Sequence, residues 1–263
     1  MRHILETIKL HKLQEVEQRK QNTSEEQLKN GVLFKRSTIS LVDKIRQANT
    51  PHIIAEFKRQ SPSKGIIRNN ADIVSITAGY QAQGASAVSV LNDTKFFGAK
   101  ANDFITAREQ LSIPLLQKDF IVDKYQITEA KAMGADLILL IAKMLPTDVL
   151  KRLAAYAHQI GLEVLLETHN EKEIKDHLTT EFDLIGINNR DLNTFRVDIA
   201  NSIALSQLLP KSAIKVAESG LDDPQVVTKL YQEGFNAFLI GEYFMKASDP
   251  TLKLKETRQK IVI

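Results

Sequence analysis

Along this chain a helix-like stretch repeatedly ends at a glycine, and a short apolar run follows within a few residues. Gly84 precedes Ala87 to Leu91, Gly134 precedes Leu137 to Ile141, Gly161 precedes Glu163 to Leu166, and Gly234 precedes Ala237 to Ile240. Glycine enters the left-handed conformation that closes a helix at no steric cost, so each is read as ending one helix and feeding the next strand. Further apolar runs at Ile53 to Phe57, Pro114 to Leu116, Leu184 to Ile187 and Ile214 to Ala217 bring the strands to about eight. Leu137-Ile138-Leu139-Leu140-Ile141 is apolar at every position, as in a parallel strand covered on both faces. Helix starts are marked by Asp123 with Gln126 and Asn170 with Glu173, spaced as capping boxes. Asp223-Pro224 and Asp249-Pro250 read as an N-cap followed by proline in the first turn.

This rhythm predicts an α/β fold, a (β/α)8 TIM barrel, in one domain spanning residues 1–263. A doubly wound open sheet is the competing architecture, but it would carry a glycine-rich dinucleotide loop, and no G-x-G-x-x-G occurs. Residues 1–48 precede the repeat and are expected as a helical extension packed on the barrel, with Ile4, Leu5, Ile8 and later Leu41, Val42 and Ile45 at helical spacing. The polar stretch Glu15 to Lys29 reads as a solvated helix or loop.

Composition narrows the chemistry. The absence of cysteine removes disulfides, thiolate metal sites and cysteine nucleophiles, and suits a cytoplasmic setting. Thirty-five basic and 32 acidic residues are interspersed, so no single-sign field marks a nucleic-acid partner. Charges recur too often after Met1 for a leader segment or a membrane span. Six histidines are scattered; Glu167 with His169 is the one hint of a metal pair, and its spacing supports it poorly, so no metal is expected.

In an α/β barrel the functional groups project from the C-terminal ends of the strands. Here one polar group after another interrupts an apolar run: Glu56 and Lys58, then Lys118, Glu167, Asn188 with Arg190, and Glu218 with Ser219 and Gly220. Any one alone reads as a surface charge, but their recurrence at five strand ends points to one shared mouth. Lysines and carboxylates that converge there perturb each other's protonation and suit acid–base work. Ser219-Gly220 and Gly241 fit a backbone phosphate site. Ser61-Pro62-Ser63-Lys64-Gly65 reads either as a surface turn or as a phosphate-contacting loop. Phe96 and Phe97 could close over a planar substrate or cap the core. From the residues alone, a Schiff-base aldolase using Lys58 or Lys118 and a non-catalytic binding barrel stay open.

The segments Ile54 to Gly65, Lys118 to Asp123, Leu166-Glu167, Gly186 to Leu192, Ala217 to Leu221 and Leu239 to Glu242 closely resemble, in order, the signatures of the indole-3-glycerol phosphate synthases of tryptophan biosynthesis. That resemblance implies ring closure of 1-(2-carboxyphenylamino)-1-deoxyribulose 5-phosphate, with loss of CO2 and water, by a carboxy-lyase that uses no cofactor. It further implies Lys118 and Lys58 as acids, Glu167 as base, and Glu56 and Glu218 as partners that hold the lysines charged. Asn188 would meet substrate hydroxyls, Arg190 the anthranilate part, and Phe97 the aromatic ring. Ser61, Ser219, Gly220, Leu239, Gly241 and Glu242 would form the phosphate and substrate shell. The expected partner is a phosphorylated small molecule, not nucleic acid or membrane, and the protein is expected as a monomer, with association with other enzymes of the pathway left open. Gln60, Gln117 and Ala99-Lys100 depart from the family's usual residues.

Overall fold

The computed structural model describes residues 4–178, 180–191 and 196–262. Eight parallel strands close into a barrel: β1 (His52–Phe57), β2 (Ala87–Leu91), β3 (Leu115–Lys118), β4 (Leu137–Ile141), β5 (Glu163–Thr168), β6 (Leu184–Asn188), β7 (Lys215–Glu218) and β8 (Ala237–Ile240). β1 pairs with both β2 and β8, which leaves no open edge. Helices alternate with the strands, and Gly84, Gly134, Gly161 and Gly234 each have φ between 77° and 89°. These left-handed glycines bring each strand in directly after its helix, as the sequence repeat predicts.

Side chains on a strand alternate between the two faces, so the barrel divides its apolar residues into two sets. One set, including Ile53, Val88, Leu140 and Phe238, packs outward against the helices. The other fills the interior, with Ile54, Leu116, Leu165 and Val216 among its members. Two residues on from these four, on the same face, stand Glu56, Lys118, Glu167 and Glu218. All four strands are odd-numbered, and alternate strands supply successive interior layers of such a barrel. The sheet therefore ends on one side in a layer of ionisable groups.

Several elements run beyond the apolar runs that announce them. β3 extends through Lys118, β5 through Glu167 and Thr168, β6 through Asn188 and β7 through Glu218. Ladder hydrogen bonds come from the backbone, so a strand need not stop where its side chains become polar. Asp123 and Gln126 form a capping box, and Asp223 and Asp249 cap helices that begin with proline. Asn170 also caps its helix, but Glu173 reaches past it to the N–H of His169, at 2.8 Å.

The N-terminal extension forms helices Ile4–Asn22, Glu25–Asn30 and Leu41–Gln47. Its polar stretch is less solvated than expected: Lys20 pairs with Asp123 at 2.8 Å and Arg19 with Glu129 at 3.3 Å. Lys12 is fully buried, with its Nζ 3.0 Å from Asp93 and 2.9 Å from Asp119, two residues that follow β2 and β3. At the opposite end of the barrel Asp136, also fully buried, accepts from Arg36 at 2.5 Å, Arg108 at 2.6 Å, and the N–H groups of Ile39 and Leu115 at 2.8 and 2.9 Å. Asp136 thus ties the extension to the barrel floor. Its removal strands two guanidinium groups and two N–H donors, so Asp136→Ala is expected to cost about 3–5 kcal/mol of stability, measured by urea unfolding.

Candidate active site

The ionic layer forms the floor of a cavity of about 420 Å3, a volume suited to a small metabolite. Lys118 is its centre: its Nζ lies 3.0 Å from Glu218 Oε2 and 3.3 Å from Glu56 Oε2. Glu56 Oε1 receives Lys58 at 2.6 Å. Across the mouth Glu167 Oε1 accepts from Asn188 Nδ2 at 3.0 Å, with His169 Nε2 at 3.2 Å.

Room for these groups is made on the even strands. Gly186 lies at an inward position of β6, and a Cβ there would come within 2.3 Å of Glu218 Oε1 and 3.3 Å of Leu165. Gly241 follows β8, and its Cβ would come within 2.3 Å of Glu56 Oε1. Neither glycine has a positive φ, so it is close approach that requires them.

Burial disfavours every ion in this floor, and their neighbours decide which remain charged. For Lys118, burial works against the ammonium, but Glu218, Glu56 and Glu167 outweigh it and hold the group charged well above neutral pH. For Glu56, Lys58 and Lys118 likewise overcome burial and lower the pKa. Glu167 is lowered as well, burial being outweighed by His169, Lys118 and Asn188. Glu218 goes the other way: burial and the negative charges of Glu167 and Glu56 prevail over Lys118 and raise it. The floor thus holds an ammonium and two carboxylates that stay ionised, and one carboxyl, Glu218, poised to change state.

One end of the cavity is built from backbone. Ser219 has φ 67°, a left-handed conformation that costs a residue with a side chain, and Gly220 repeats it at φ 67°. Asn189, buried, donates to the Ser219 carbonyl at 2.6 Å. Successive N–H groups in such a turn form a concavity for anions, and Gly241 and Glu242 open the short helix Glu242–Met245 beside it. Arg190 and Lys246 both contact the Glu242 carboxylate, at 3.5 and 2.6 Å. In the segment Ser61 to Gly65 a turn over residues 62–64 joins Gln60–Ser61 to Gly65–Ile66, which pair antiparallel in a small hairpin, and Ser61, Pro62 and Ser63 line the cavity.

The other end is apolar. Phe97 packs on Phe120 with ring centroids 5.8 Å apart, while Phe96 turns away to meet His11 at 5.9 Å. Ile4, Leu5 and Ile8 of the first helix also line the cavity, as do Leu139, Ile141 and Leu239. The structure places Glu56, Lys58, Lys118, Glu167, Asn188 and Arg190 around one cavity, together with Ser61, Phe97, Ser219, Gly220, Leu239, Gly241 and Glu242. Glu218, alone of the layer, does not line the cavity and reaches the site through Lys118. Leu192, in the motif that contains Arg190, lies outside the described residues. Of the departures from family usage, Gln117 is buried within β3, and Gln60 donates to the Lys95 carbonyl at 3.3 Å.

Sequence reasoning does not find the wall formed by Ile4, Leu5 and Ile8, although their helical spacing shows an apolar stripe. Asp119 and Phe120 fall within the signature Lys118 to Asp123, but no role is read for either from the sequence.

Comparison with known proteins agrees with this geometry. The family model described as indole-3-glycerol phosphate synthase matches residues 5–257. A protein of that name from Bacteroides thetaiotaomicron is 46% identical over 250 residues, covering 95% of each chain. Another from Aliarcobacter butzleri is 46% identical over 208 residues, 79% of this chain and 78% of its own. Among solved structures, tryptophan synthase subunit alpha from Legionella pneumophila superposes with TM-score 0.60 at 12% identity, over 84% of this chain and 96% of that one. Thiamine phosphate pyrophosphorylase from Pyrococcus furiosus gives 0.59 at 16% identity, over 84% and 98%. These two similarities concern the barrel alone. With a family match over nearly its whole length and a relative 46% identical throughout, the chain belongs to the indole-3-glycerol phosphate synthase family.

Proposed function

We propose that this cavity closes the pyrrole ring of indole-3-glycerol phosphate from 1-(2-carboxyphenylamino)-1-deoxyribulose 5-phosphate. The observation that carries the reading is the meeting of Lys118, Lys58 and Glu167, from three separate strand ends, around one pocket with an anion-binding turn at one end and an aromatic wall at the other. The phosphate is held by the N–H groups around Ser219, Gly220, Gly241 and Glu242, and the hairpin residue Ser61 closes the same end. The aryl ring lies against Phe97 and Leu239, and Arg190 of the cavity lining takes its carboxylate. Asn188 holds the hydroxyls between the two ends.

With the substrate so placed, the aryl carbon that bears the carboxylate attacks the ketone carbon. The Lys118 ammonium gives its proton to the ketone oxygen, which becomes a hydroxyl, and CO2 leaves to restore aromaticity. The hydroxyl then departs as water with a proton from Lys58. Glu167 takes the proton from the neighbouring ring methylene, and the double bond of the indole forms. Glu56 and Glu218 contribute through the lysines, whose charge and aim they fix. A Schiff-base aldolase, by contrast, needs an uncharged amine, and the carboxylates around Lys118 hold it as an ammonium. No organic cofactor or metal has a step in this scheme.

No described helix is long and apolar enough to cross a membrane. This reading assigns the enzyme to the cytoplasm as a monomer, with each pocket complete within one chain.

Lys118→Ala is expected to lower kcat/KM by about 10^2 to 10^4-fold, the usual worth of a positioned acid. Indole fluorescence on adding the substrate measures this, with circular dichroism confirming the fold. Wild-type rates in a folded variant would remove Lys118 from its role. Gly186→Ala is expected to reduce kcat at least tenfold, because its Cβ displaces Glu218 and with it the Lys118 ammonium. An unchanged kcat would show that the close approach at Gly186 has no bearing on turnover.

A further inference from the structure

The scheme above gives no task to His169, although the side chain is only 8% exposed and lies against the base. Its Nε2 is 3.2 Å from Glu167 Oε1, and its Nδ1 is 3.4 Å from Glu173 Oε2. These are ion-pair contacts, off the axis of a hydrogen bond. Glu173 is itself fixed: it accepts the His169 N–H at 2.8 Å and Asn170 Nδ2 at 2.6 Å, while its own N–H is capped by Asn170 Oδ1 at 3.0 Å. The first turn of the helix Glu171–His177 therefore holds one carboxylate on the far side of the ring, opposite Glu167.

A ring nitrogen facing a carboxylate is stabilised when it carries a hydrogen, and both nitrogens carry one only in the imidazolium. Burial opposes that charge, but the two carboxylates outweigh it and push the histidine up to about 9. At neutral pH the ring is a cation clamped between two anions. The other groups facing Glu167 are Lys118 from β3, Asn188 from β6 and the like-charged Glu218 from β7. Lys118 is shared with Glu56 and Glu218, whereas His169 is divided only between Glu167 and Glu173.

We propose that His169, as an imidazolium between Glu167 and Glu173, is a positioning residue that aims the Glu167 carboxylate and keeps it ionised, and thereby sets the acidic edge of the enzyme's working range. The proposal rests on the reading of Glu167 as the base. A carboxyl that is protonated cannot take a proton, so activity falls as pH drops through the Glu167 pKa. Without the imidazolium, burial and Glu218 still oppose ionisation, and that pKa moves up.

The test is the pH dependence of kcat/KM, which reports the free enzyme, for wild type, His169→Asn, Glu173→Gln and Glu167→Gln. In His169→Asn the acidic limb is expected to move up by about one pH unit or more, a tenfold or greater loss below it, with the plateau reduced much less. Glu173→Gln is expected to move the limb in the same direction by a smaller amount. Glu167→Gln should be nearly inactive at every pH. If it is inactive but the limb is unmoved in the other two, the proposal fails while the base assignment survives. If Glu167→Gln keeps wild-type activity, the base assignment fails and takes this proposal with it. A ring 15N NMR titration of the wild type gives a check that needs no variant: His169 should be doubly protonated at about pH 8, and a neutral ring there overturns the proposal even if His169→Asn does not fold.

Discussion

A single ammonium, that of Lys118, lies among three carboxylates in the last interior layer of the barrel, and much of the molecule is arranged to make this tolerable. Taking an ion out of water costs several kcal/mol even after relaxation, and the cost is recovered only when the partners are close and well placed. The odd strands bring Glu56, Lys118, Glu167 and Glu218 to the same height, directly above Ile54, Leu116, Leu165 and Val216. An apolar layer beneath keeps water from approaching from below. Gly186 and Gly241 on the even strands keep the space that the carboxylates of Glu218 and Glu56 occupy. The charges do not balance within the layer, and the imbalance falls on Glu218, whose ion pair is with the shared Lys118 while Glu56 also has Lys58 and Glu167 has His169.

The cavity above this layer is polarised along its length. A strained turn at Ser219 and Gly220 offers N–H groups at one end, and Phe97, Phe120 and the first helix offer hydrocarbon at the other. A ligand with a phosphate at one extremity and an aryl ring at the other can lie in only one direction. In the proposed reaction the ketone is then carried to Lys118 by contacts made far from it, which is how remote binding energy is turned into orientation at the reacting atoms.

The barrel could be read from the chain because its strands are uninterrupted apolar runs and its helices end at glycines that must turn left-handed. Glu56, Lys118 and Glu167 could be picked out for the same reason: each breaks such a run abruptly. The strand ends were harder, since backbone pairing continues through Lys118, Asn188 and Glu218 although the side chains have changed character. Ile4, Leu5 and Ile8 show a helical stripe, but a stripe does not say what it packs against. Lys12 and His169 were invisible as structural ions, because their partners Asp93, Asp119 and Glu173 are recognisable only once the chain has folded. His169 in sequence reads as a weak metal hint, whereas in space it is a cation serving two carboxylates.

The order of synthesis gives the Lys12 contacts another significance. The helix that carries Lys12 is made before the barrel strands, yet the two aspartates that receive its charge belong to loops made only after the second and third strands. Until they emerge, this helix has a lysine with nowhere dry to go and an apolar stripe with nothing to cover. The wall that this helix gives the pocket can therefore be fastened only once the third strand and the loop after it have been made.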